Sequence, residues 1–233
     1  MRKPEVNYWE FRLKKLNDPE FRHLKLLLYW PVYGLLFLFV ERFYQPGSYF
    51  PMHCFLDDLI PFQELFLIPY LFWFIYLVGM HLYTLLYDVA SFRRMMYFII
   101  LTYSAAILVY LFFPTCQNLR PEVFARDNML TRFIAGFYVF DTNTNVCPSI
   151  HVIGSLAVMF ASWHCKGFTK GWKAASTVAA VLISISTVFM KQHSVLDVLA
   201  ALPLSFLAYW LCYCCTPRPA RALRPAKANS GEH

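Results

Sequence analysis

Residues 174–212 read AASTVAAVLISISTVFMKQHSVLDVLAALPLSFLAYWLC. Two apolar runs flank a polar break that contains Lys191, Gln192 and His193, and each run is roughly long enough as an α-helix to cross a hydrocarbon core about 30 Å thick. Because the break is so short, the two helices must be antiparallel neighbours. This stretch therefore predicts a membrane-embedded helical hairpin with a histidine at its tip.

The rest of the chain continues this apolar pattern. Of the 233 residues, 58% are hydrophobic and only 15% are charged, and the mean hydropathy is +0.44, which is typical of an integral membrane protein. Ser, Thr and Gly in the fourth and fifth apolar runs suit helix–helix packing, so we expect these two runs inside the bundle. The pattern predicts an all-α, polytopic bundle of six transmembrane helices at residues 24–43, 65–87, 95–113, 148–163, 174–190 and 194–212.

Basic residues fall mainly on one side of this predicted bundle. Sixteen of the 21 Lys and Arg residues lie before or at the start of the first run, after the second and fourth runs, or in the C-terminal tail. The positive-inside rule then places both termini in the cytoplasm, and we expect a plasma-membrane location with the opposite end facing outward. The net charge of +7 thus reflects topology, and we expect no nucleic-acid partner.

The segments outside the apolar runs divide the chain further. We expect a cytoplasmic or interfacial N-terminal segment at residues 1–22, a membrane domain at 23–213, and a basic, disordered cytoplasmic tail at 214–233. Residues 6–16 mix aromatic and basic side chains, which suits either an interfacial helix or a solvated basic segment. Residues 128–141 contain an apolar run too short to span, which predicts an interfacial or re-entrant segment beside the path by which lipid enters.

Two histidines and an aspartate occupy the outward ends of neighbouring predicted helices. His151 lies at the start of the fourth run and His193 at the start of the sixth, so both imidazoles return to the same depth. Asp197, four residues after His193, can accept the ring N–H and fix which nitrogen is free. Such a histidine can attack an electrophile covalently while the second histidine protonates the leaving group.

The same end of the bundle offers groups that bind phosphate. Pro148 opens the fourth run, so the N–H groups of the first helical turn face outward and form an anion seat. Arg120 can supply a guanidinium fork that matches phosphate. Phosphoryl chemistry on a membrane lipid, with a lipid or another alcohol as acceptor, suits this set of residues best.

Three motifs resemble the type 2 phosphatidic acid phosphatase superfamily. Arg120-Pro121 resembles the end of its first motif, Cys147-Pro-Ser-Ile-His151 the second, and residues 186–197 the third, in the family's order and spacing. The Pro-Ser-Ile-His form is closest to the inositolphosphorylceramide synthase-like and sphingomyelin synthase-like branch, whose members transfer a phosphoryl head group between lipids. The resemblance implies an enzyme.

The resemblance also implies individual roles. His193 is the nucleophile that forms a phosphohistidine, Asp197 orients it, and His151 is the general acid. Phosphate oxygens contact Arg120, Ser149 and Ser186. The resemblance implies neither a cofactor nor a metal.

Two cations of the family pattern are missing. The first-motif lysine falls at Phe113 and the third-motif arginine at Thr187, and the glycine before the second-motif histidine is Ile150. Because a monoester dianion needs more positive charge than a diester monoanion, these losses favour a phosphodiester substrate. Lys191 is either a substitute for one missing cation or a lysine that snorkels to the interface.

The function predicted from the sequence is a lipid phosphotransferase of the inositolphosphotransferase type. The first outward loop adds His53, Asp57 and Asp58, which either contact a polar head group or close the bundle as a solvated loop. The closest alternative is a phosphatase of phosphatidate or a polyprenyl diphosphate that uses the same residues with water. More remote are a zinc-dependent hydrolase with His53, His151, His193 and an aspartate as ligands, and a lipid-binding protein with an inactive site.

Overall fold

The computed structural model describes residues 3–215, so the 18 tail residues 216–233, whose disorder we expect from the sequence, lie outside the described part. Within that part, a bundle of α-helices is accompanied by two short parallel strands. The elements are α1 (Tyr29–Arg42), β1 (Phe50–Pro51), α2 (Phe55–Leu59), α3 (Leu67–Tyr87), α4 (Val89–Phe112), β2 (Thr115–Cys116), α5 (Met129–Phe140), α6 (Ile150–His164), α7 (Lys170–Phe189) and α8 (Val195–Tyr209).

Within residues 3–215, five helical segments are long and apolar enough to cross a membrane, where the sequence predicts six. They are Arg22–Arg42, Glu64–Tyr87, Val89–Phe112, Lys170–Phe189 and Val195–Cys215. The first, second and fifth of them include short 3-10 or π turns that extend α1, α3 and α8. The integral membrane character is therefore supported by helix length and composition.

The fourth predicted run forms α6, which is the central helix of the bundle. It has 15 residues, and every residue from His151 to Ser162 is buried. It packs against α3, α4, α7 and α8. A helix of this length is only about 22 Å long, shorter than a hydrocarbon core. Because neighbouring helices surround it, α6 does not need to match the bilayer thickness.

The fifth predicted run, expected inside the bundle, forms the peripheral helix α7, so that expectation is wrong. Val178 and Val181 are exposed on its outer face. The partly exposed polar residues do not require the bundle interior, because Thr177 donates a hydrogen bond to Lys173 O and Ser184 donates to Ala180 O. These hydroxyls are satisfied within their own helix, which makes the face compatible with lipid.

The loops gather at two opposite ends of the bundle. At one end, Tyr8 donates a hydrogen bond to Leu85 O, and the backbone N–H of Lys166 donates to Asp88. At the other end, β1 pairs with β2, and Gln63 N donates to Phe189 O. The grouping of loops is the one that the apolar pattern predicts. That the first end faces the cytoplasm stays a prediction based on charge.

The N-terminal segment does not form one interfacial helix. It contains two short 3-10 turns, Tyr8–Glu10 and Leu13–Lys15. Val6 and Phe21 pack against Val89 at the start of α4, which ties this irregular segment to the bundle. Trp9 is 92% exposed and therefore free to lie at a membrane surface.

The short apolar run at residues 128–141 forms the helix α5. Asn128 caps its start by accepting a hydrogen bond from Thr131 N, and the helix ends before Asp141. Ile134 packs in a cluster with Tyr70 and other residues of α3, whereas Val139, on another face of α5, is 82% exposed. This helix is too short to span and lies across the end of the bundle where β1 and β2 pair.

Candidate active site

A tight turn between α7 and α8 positions His193. Lys191 adopts a left-handed conformation with φ of 51°, and the backbone N–H groups of Gln192 and His193 both donate to Thr187 O. Ser194 then caps α8 in a reciprocal arrangement with Asp197. The direction of the His193 side chain is therefore fixed by backbone hydrogen bonds on both sides of the turn.

The His193 imidazole is oriented by Asp197. His193 Nδ1 lies 3.2 Å from Asp197 Oδ2, and that oxygen also accepts a hydrogen bond from Ser194 N at 2.9 Å. Asp197 is completely buried and His193 is 7% exposed. Because the carboxylate accepts, Nδ1 carries the proton and Nε2 presents its lone pair. This is the tautomer that a nucleophilic histidine requires.

The second histidine lies beside the first. His151 is in the first turn of α6, and its ring centroid is 5.8 Å from that of His193. Tyr70 and Trp73 of α3 pack against the His151 ring, with centroids at 4.6 and 4.5 Å. The two imidazoles therefore share one end of the bundle and are close enough for one phosphate group to contact both.

A small polar cavity of about 40 Å³ opens at the two histidines. This volume exceeds the roughly 10–15 Å³ that one water needs, so the cavity admits water, and a lipid head group must displace it and widen the cavity. Polar side chains predominate among its lining residues, which come from α1, α4, α6 and the two loops before α6 and α8. The lining residues are Phe37, Glu41, Tyr110, Asp141, Thr142, Thr144, Asn145, Val146, Ile150, His151, Gln192 and His193.

Several of these groups have free hydrogen-bonding capacity. Asn145 Oδ1, Gln192 Nε2 and His151 Nδ1 are buried and have no partner among the described residues. Buried polar atoms are nearly always hydrogen-bonded, so such atoms beside a cavity are available to a bound ligand. The cavity thus combines two imidazoles with spare polar contacts.

The comparison of the sequence with known families agrees with this geometry. The sequence model of the PAP2 superfamily matches residues 94–221, which is more than half of the chain and includes Arg120, both histidines and Asp197. The chain belongs to the PAP2 superfamily. PAP2 members are phosphatases and phosphotransferases that act on phosphate esters. No curated protein and no solved structure gives a significant match.

Arg120 of the first PAP2 motif lies behind the cavity wall. Its guanidinium donates hydrogen bonds to Tyr138 O, Thr142 O and the Gln192 side chain, and it stacks on the Tyr138 ring at 4.5 Å. Burial lowers the pKa of Arg120, but a guanidinium stays protonated in proteins. As placed here, Arg120 holds Gln192, a lining residue of the cavity, and the loop before α6.

The two PAP2 serines support helix ends. Ser149 Oγ accepts a hydrogen bond from Val152 N, and the backbone N–H of Ser149 donates to Asp197 O. Ser186 donates to Ile183 O within α7. Both serines are fully buried and neither lines the cavity. Direct contact of Ser149 or Ser186 with phosphate stays a prediction.

Lys191 and Asp57 form a buried clamp at the start of α8. Lys191 Nζ donates to Asp57 O at 2.6 Å, and the Asp57 carboxylate accepts from Ser194 Oγ and Val195 N at 2.6 and 2.8 Å. Burial acts to raise the pKa of Asp57, but hydrogen bonds from Ser194, Val195 and Cys54 outweigh it and lower the pKa. Neither residue lines the cavity, so we assign both a structural role.

Replacing Asp57 with asparagine should therefore destabilise the protein more than it changes catalysis. An amide lacks the second acceptor that α8 requires, so we expect the free energy of unfolding to fall by about 1–3 kcal/mol. Asp58→Asn is the matched control, because Asp58 is exposed and its hydrogen bond is to the exposed His53, although it also adds weak electrostatic attraction to Lys191. Unfolding by a denaturing detergent in mixed micelles measures the free energy of unfolding of both variants. Equal stability of the two variants would mean that Asp57 does not stabilise the start of α8.

The remaining loop candidates lie on the surface. His53 Nε2 and Asp58 Oδ1 are 2.8 Å apart in an exposed pair, and neither residue lines the cavity. Within residues 3–215 no group of three or more His, Cys, Asp or Glu side chains is arranged to hold a metal ion. The four-ligand zinc set that includes His53 is thus not assembled in the described part of the chain.

Three cysteines at the catalytic end of the bundle are free thiols. Cys54 precedes α2, Cys116 is in β2, and Cys147 precedes Pro148. The backbone N–H of Cys147 donates to Thr115 Oγ1 at 3.1 Å, which holds the loop before α6 against β2 without a covalent link.

Proposed function

We propose that the protein is a membrane-embedded lipid phosphotransferase that acts through a phosphohistidine on His193. His193 Nε2 attacks the phosphorus of a lipid phosphodiester, the bond from phosphorus to the lipid oxygen breaks, and His151 protonates that oxygen. An alcohol then attacks the phosphohistidine, His151 takes its proton, and His193 is released. The observation that carries the proposal is the His193–Asp197 hydrogen bond with the His151 ring 5.8 Å from the His193 ring.

Charge in the cavity supports a diester substrate. Glu41, which accepts a hydrogen bond from Thr142, and Asp141 both line the cavity, whereas Lys191 is held by Asp57. Burial raises the pKa of Asp141, although His193 and Arg120 oppose the shift, and the raised pKa favours the neutral acid, so the charge argument depends chiefly on Glu41. Carboxylates beside the reacting phosphorus repel a dianion more than a monoanion. The head group of a diester, which bears hydroxyl or ammonium donors, can instead use these acceptors.

Replacing Glu41 with glutamine should shift substrate preference toward monoesters. Removal of one negative charge from a desolvated wall reduces repulsion of the dianion, so we expect kcat/KM for phosphatidate relative to a diester donor to rise about tenfold. Parallel assays with the two lipids measure the ratio. Glu122→Gln is the control, because Glu122 is exposed and does not line the cavity. An unchanged ratio in Glu41→Gln would mean that the charge of Glu41 does not select diesters over monoesters.

Replacing His151 with glutamine should slow turnover of a lipid donor by roughly 10³-fold, because an alkoxide leaves poorly without a proton. A p-nitrophenyl phosphodiester needs little protonation, so its turnover should fall far less. Steady-state assays with both donors test the role. Equal losses with the two leaving groups would mean that His151 positions the phosphate instead of donating the proton.

Two finer assignments belong to this proposal. The Pro-Ser-Ile-His motif and the missing cations at Phe113 and Thr187 favour the branch that transfers head groups between lipids.

The charge of the loops favours an outward-facing site in the plasma membrane, because only five of the 21 basic residues lie on the catalytic side. A membrane-impermeant maleimide that labels Cys54 or Cys116 in intact cells supports this orientation, and labelling only after lysis contradicts it.

A lipid phosphatase is the second candidate, because the cavity of about 40 Å³ already admits water. Water in place of an alcohol as the second nucleophile gives hydrolysis through the same intermediate. Incubation with a donor and an acceptor lipid that carry different labels separates the two functions. Doubly labelled product indicates transfer, and release of the phosphorylated head group alone indicates hydrolysis. Activity that is lost in a chelator and restored by zinc would favour metal-dependent hydrolysis instead.

A further inference from the structure

A large apolar groove runs along α3 and α7, from the middle of the bundle to the end opposite the catalytic cavity. It has a volume of about 480 Å³, within the range of sites that bind small organic ligands. α3 and α7 form its walls, and Val158 of α6 lies at its base. The lining residues are Phe72, Ile75, Tyr76, Gly79, Met80, Tyr83, Val158, Gly167, Phe168, Trp172, Ala175, Ser176 and Ala179.

Gly79 keeps the groove open without serving helix packing. A Cβ atom built on Gly79 meets no heavy atom within 4 Å. At Gly154 of α6, by contrast, a Cβ atom would lie 2.7 Å from Tyr103 Oη and 2.9 Å from Trp73 Nε1, so that glycine permits close packing. The space beside Gly79 is therefore available to a ligand.

The interior of the groove suits hydrocarbon. The polar side chains of Tyr76 and Ser176 satisfy each other, because their hydroxyl oxygens are 2.7 Å apart and Tyr76 Oη is also 2.7 Å from Ser176 O. These two polar side chains therefore need no partner from a ligand. Since the groove opens laterally between two candidate membrane spans, the hydrocarbon it meets is an acyl chain.

The mouth of the groove is basic. Lys166 is exposed and directly precedes Gly167, a lining residue in the loop between α6 and α7. Lys170 begins α7, so the positive end of that 20-residue helix is at the same place. Trp172 is 65% exposed at the rim, as is usual for an aromatic ring at head-group level. This charge complements an anionic head group.

We propose that this groove binds one acyl chain of an anionic lipid, with the acidic head group beside Lys166. The site is separate from the catalytic cavity, and it does not depend on the proposed reaction. α3 connects the two regions, because Phe72 lines the groove and the next residue, Trp73, packs against His151.

Photo-crosslinking tests the site. The full-length protein is placed in phosphatidylcholine nanodiscs with a palmitate analogue that carries a diazirine, and labelled peptides are mapped by mass spectrometry. We expect label on residues 72–83 and 167–179, competed by oleate and phosphatidylglycerol but not by added phosphatidylcholine. Lys166→Gln should weaken labelling about fivefold, whereas Lys14→Gln, on an exposed N-terminal lysine, should not.

Groove-filling variants decide between a specific site and general lipid contact. Gly79→Leu should reduce labelling to the level of other lipid-exposed helices. Gly34→Leu is the matched control, because Gly34 lies exposed on α1 and its Cβ also meets nothing within 4 Å. Ala179→Leu fills the groove from the opposite wall if Gly79→Leu fails to fold. His193→Ala should label normally. Equal labelling of all exposed helices, or labelling unchanged by both filling variants, overturns the proposal.

Discussion

His193→Ala will lower kcat by at least about four orders of magnitude and will leave no covalent phosphorylated intermediate. Removal of the nucleophile of a covalent mechanism costs this much or more, because binding and electrostatic stabilisation alone remain. Only His193 has a carboxylate, Asp197, beside its ring among the two imidazoles of the cavity, so His151 should not replace it as the nucleophile. Head-group transfer between labelled lipids in detergent measures the loss.

His53→Ala is the control for His193→Ala. His53 is at the same end of the bundle but is exposed and outside the cavity, so its removal should change kcat less than about threefold. A folded His193→Ala protein whose kcat falls by much less than about four orders of magnitude would contradict the phosphohistidine mechanism. A large loss in His53→Ala would instead bring the first outer loop into the site.

Asp197→Asn will lower kcat by roughly 10⁴-fold while KM changes little, the size of effect seen when an orienting aspartate is replaced. The amide can donate to Nδ1 of His193, which moves the proton to Nε2 and removes the attacking lone pair. The side chain keeps its size, so the protein should fold, but an amide nitrogen in place of Oδ2 gives up the capping bond from Ser194 N and should lower the free energy of unfolding by about 1 kcal/mol. Rapid-quench measurement of intermediate formation locates the loss in the first chemical step.

Asp57→Asn separates orientation from capping. Asp57 and Asp197 both accept hydrogen bonds at the start of α8, but only Asp197 contacts His193. Asp57→Asn should therefore reduce stability without a comparable loss of kcat. If Asp197→Asn lost only stability, Asp197 would be a helix cap, and the tautomer of His193 would be set by other groups.

The sequence predicts the catalytic centre better than its surroundings. The spacing of four residues predicts that Asp197 lies beside His193, and it does, although His193 lies in the turn before α8 and the two meet at the helix cap. Short breaks between long apolar runs bring the starts of α6 and α8 to one end of the bundle. Glu41 could not be predicted, because it comes from the distant helix α1 and looks like a charge that ends a membrane span. Its place in the cavity depends on how α1 packs against α4 and on the loop that includes Thr142.

Asn145 and Gln192, which also line the cavity, were not predicted from the sequence. Asn145 has a left-handed backbone with φ of 54°, which no local pattern indicates, and Gln192 is a neutral residue between two candidates. The sequence places Arg120 at the catalytic end of the bundle, but it does not reveal that the Arg120 guanidinium donates to backbone carbonyls. Likewise, apolar length alone cannot distinguish the buried α6 from the peripheral α7.

The most direct test of the mechanism is chemical trapping of the intermediate. The protein is mixed with a lipid diester labelled with radioactive phosphorus, without acceptor, quenched in alkali and digested. We predict one labelled peptide that contains His193, stable to alkali and lost in acid, absent from His193→Ala and discharged by added acceptor alcohol. Label on His151 instead, or turnover in which no labelled peptide forms, would contradict a reaction through His193.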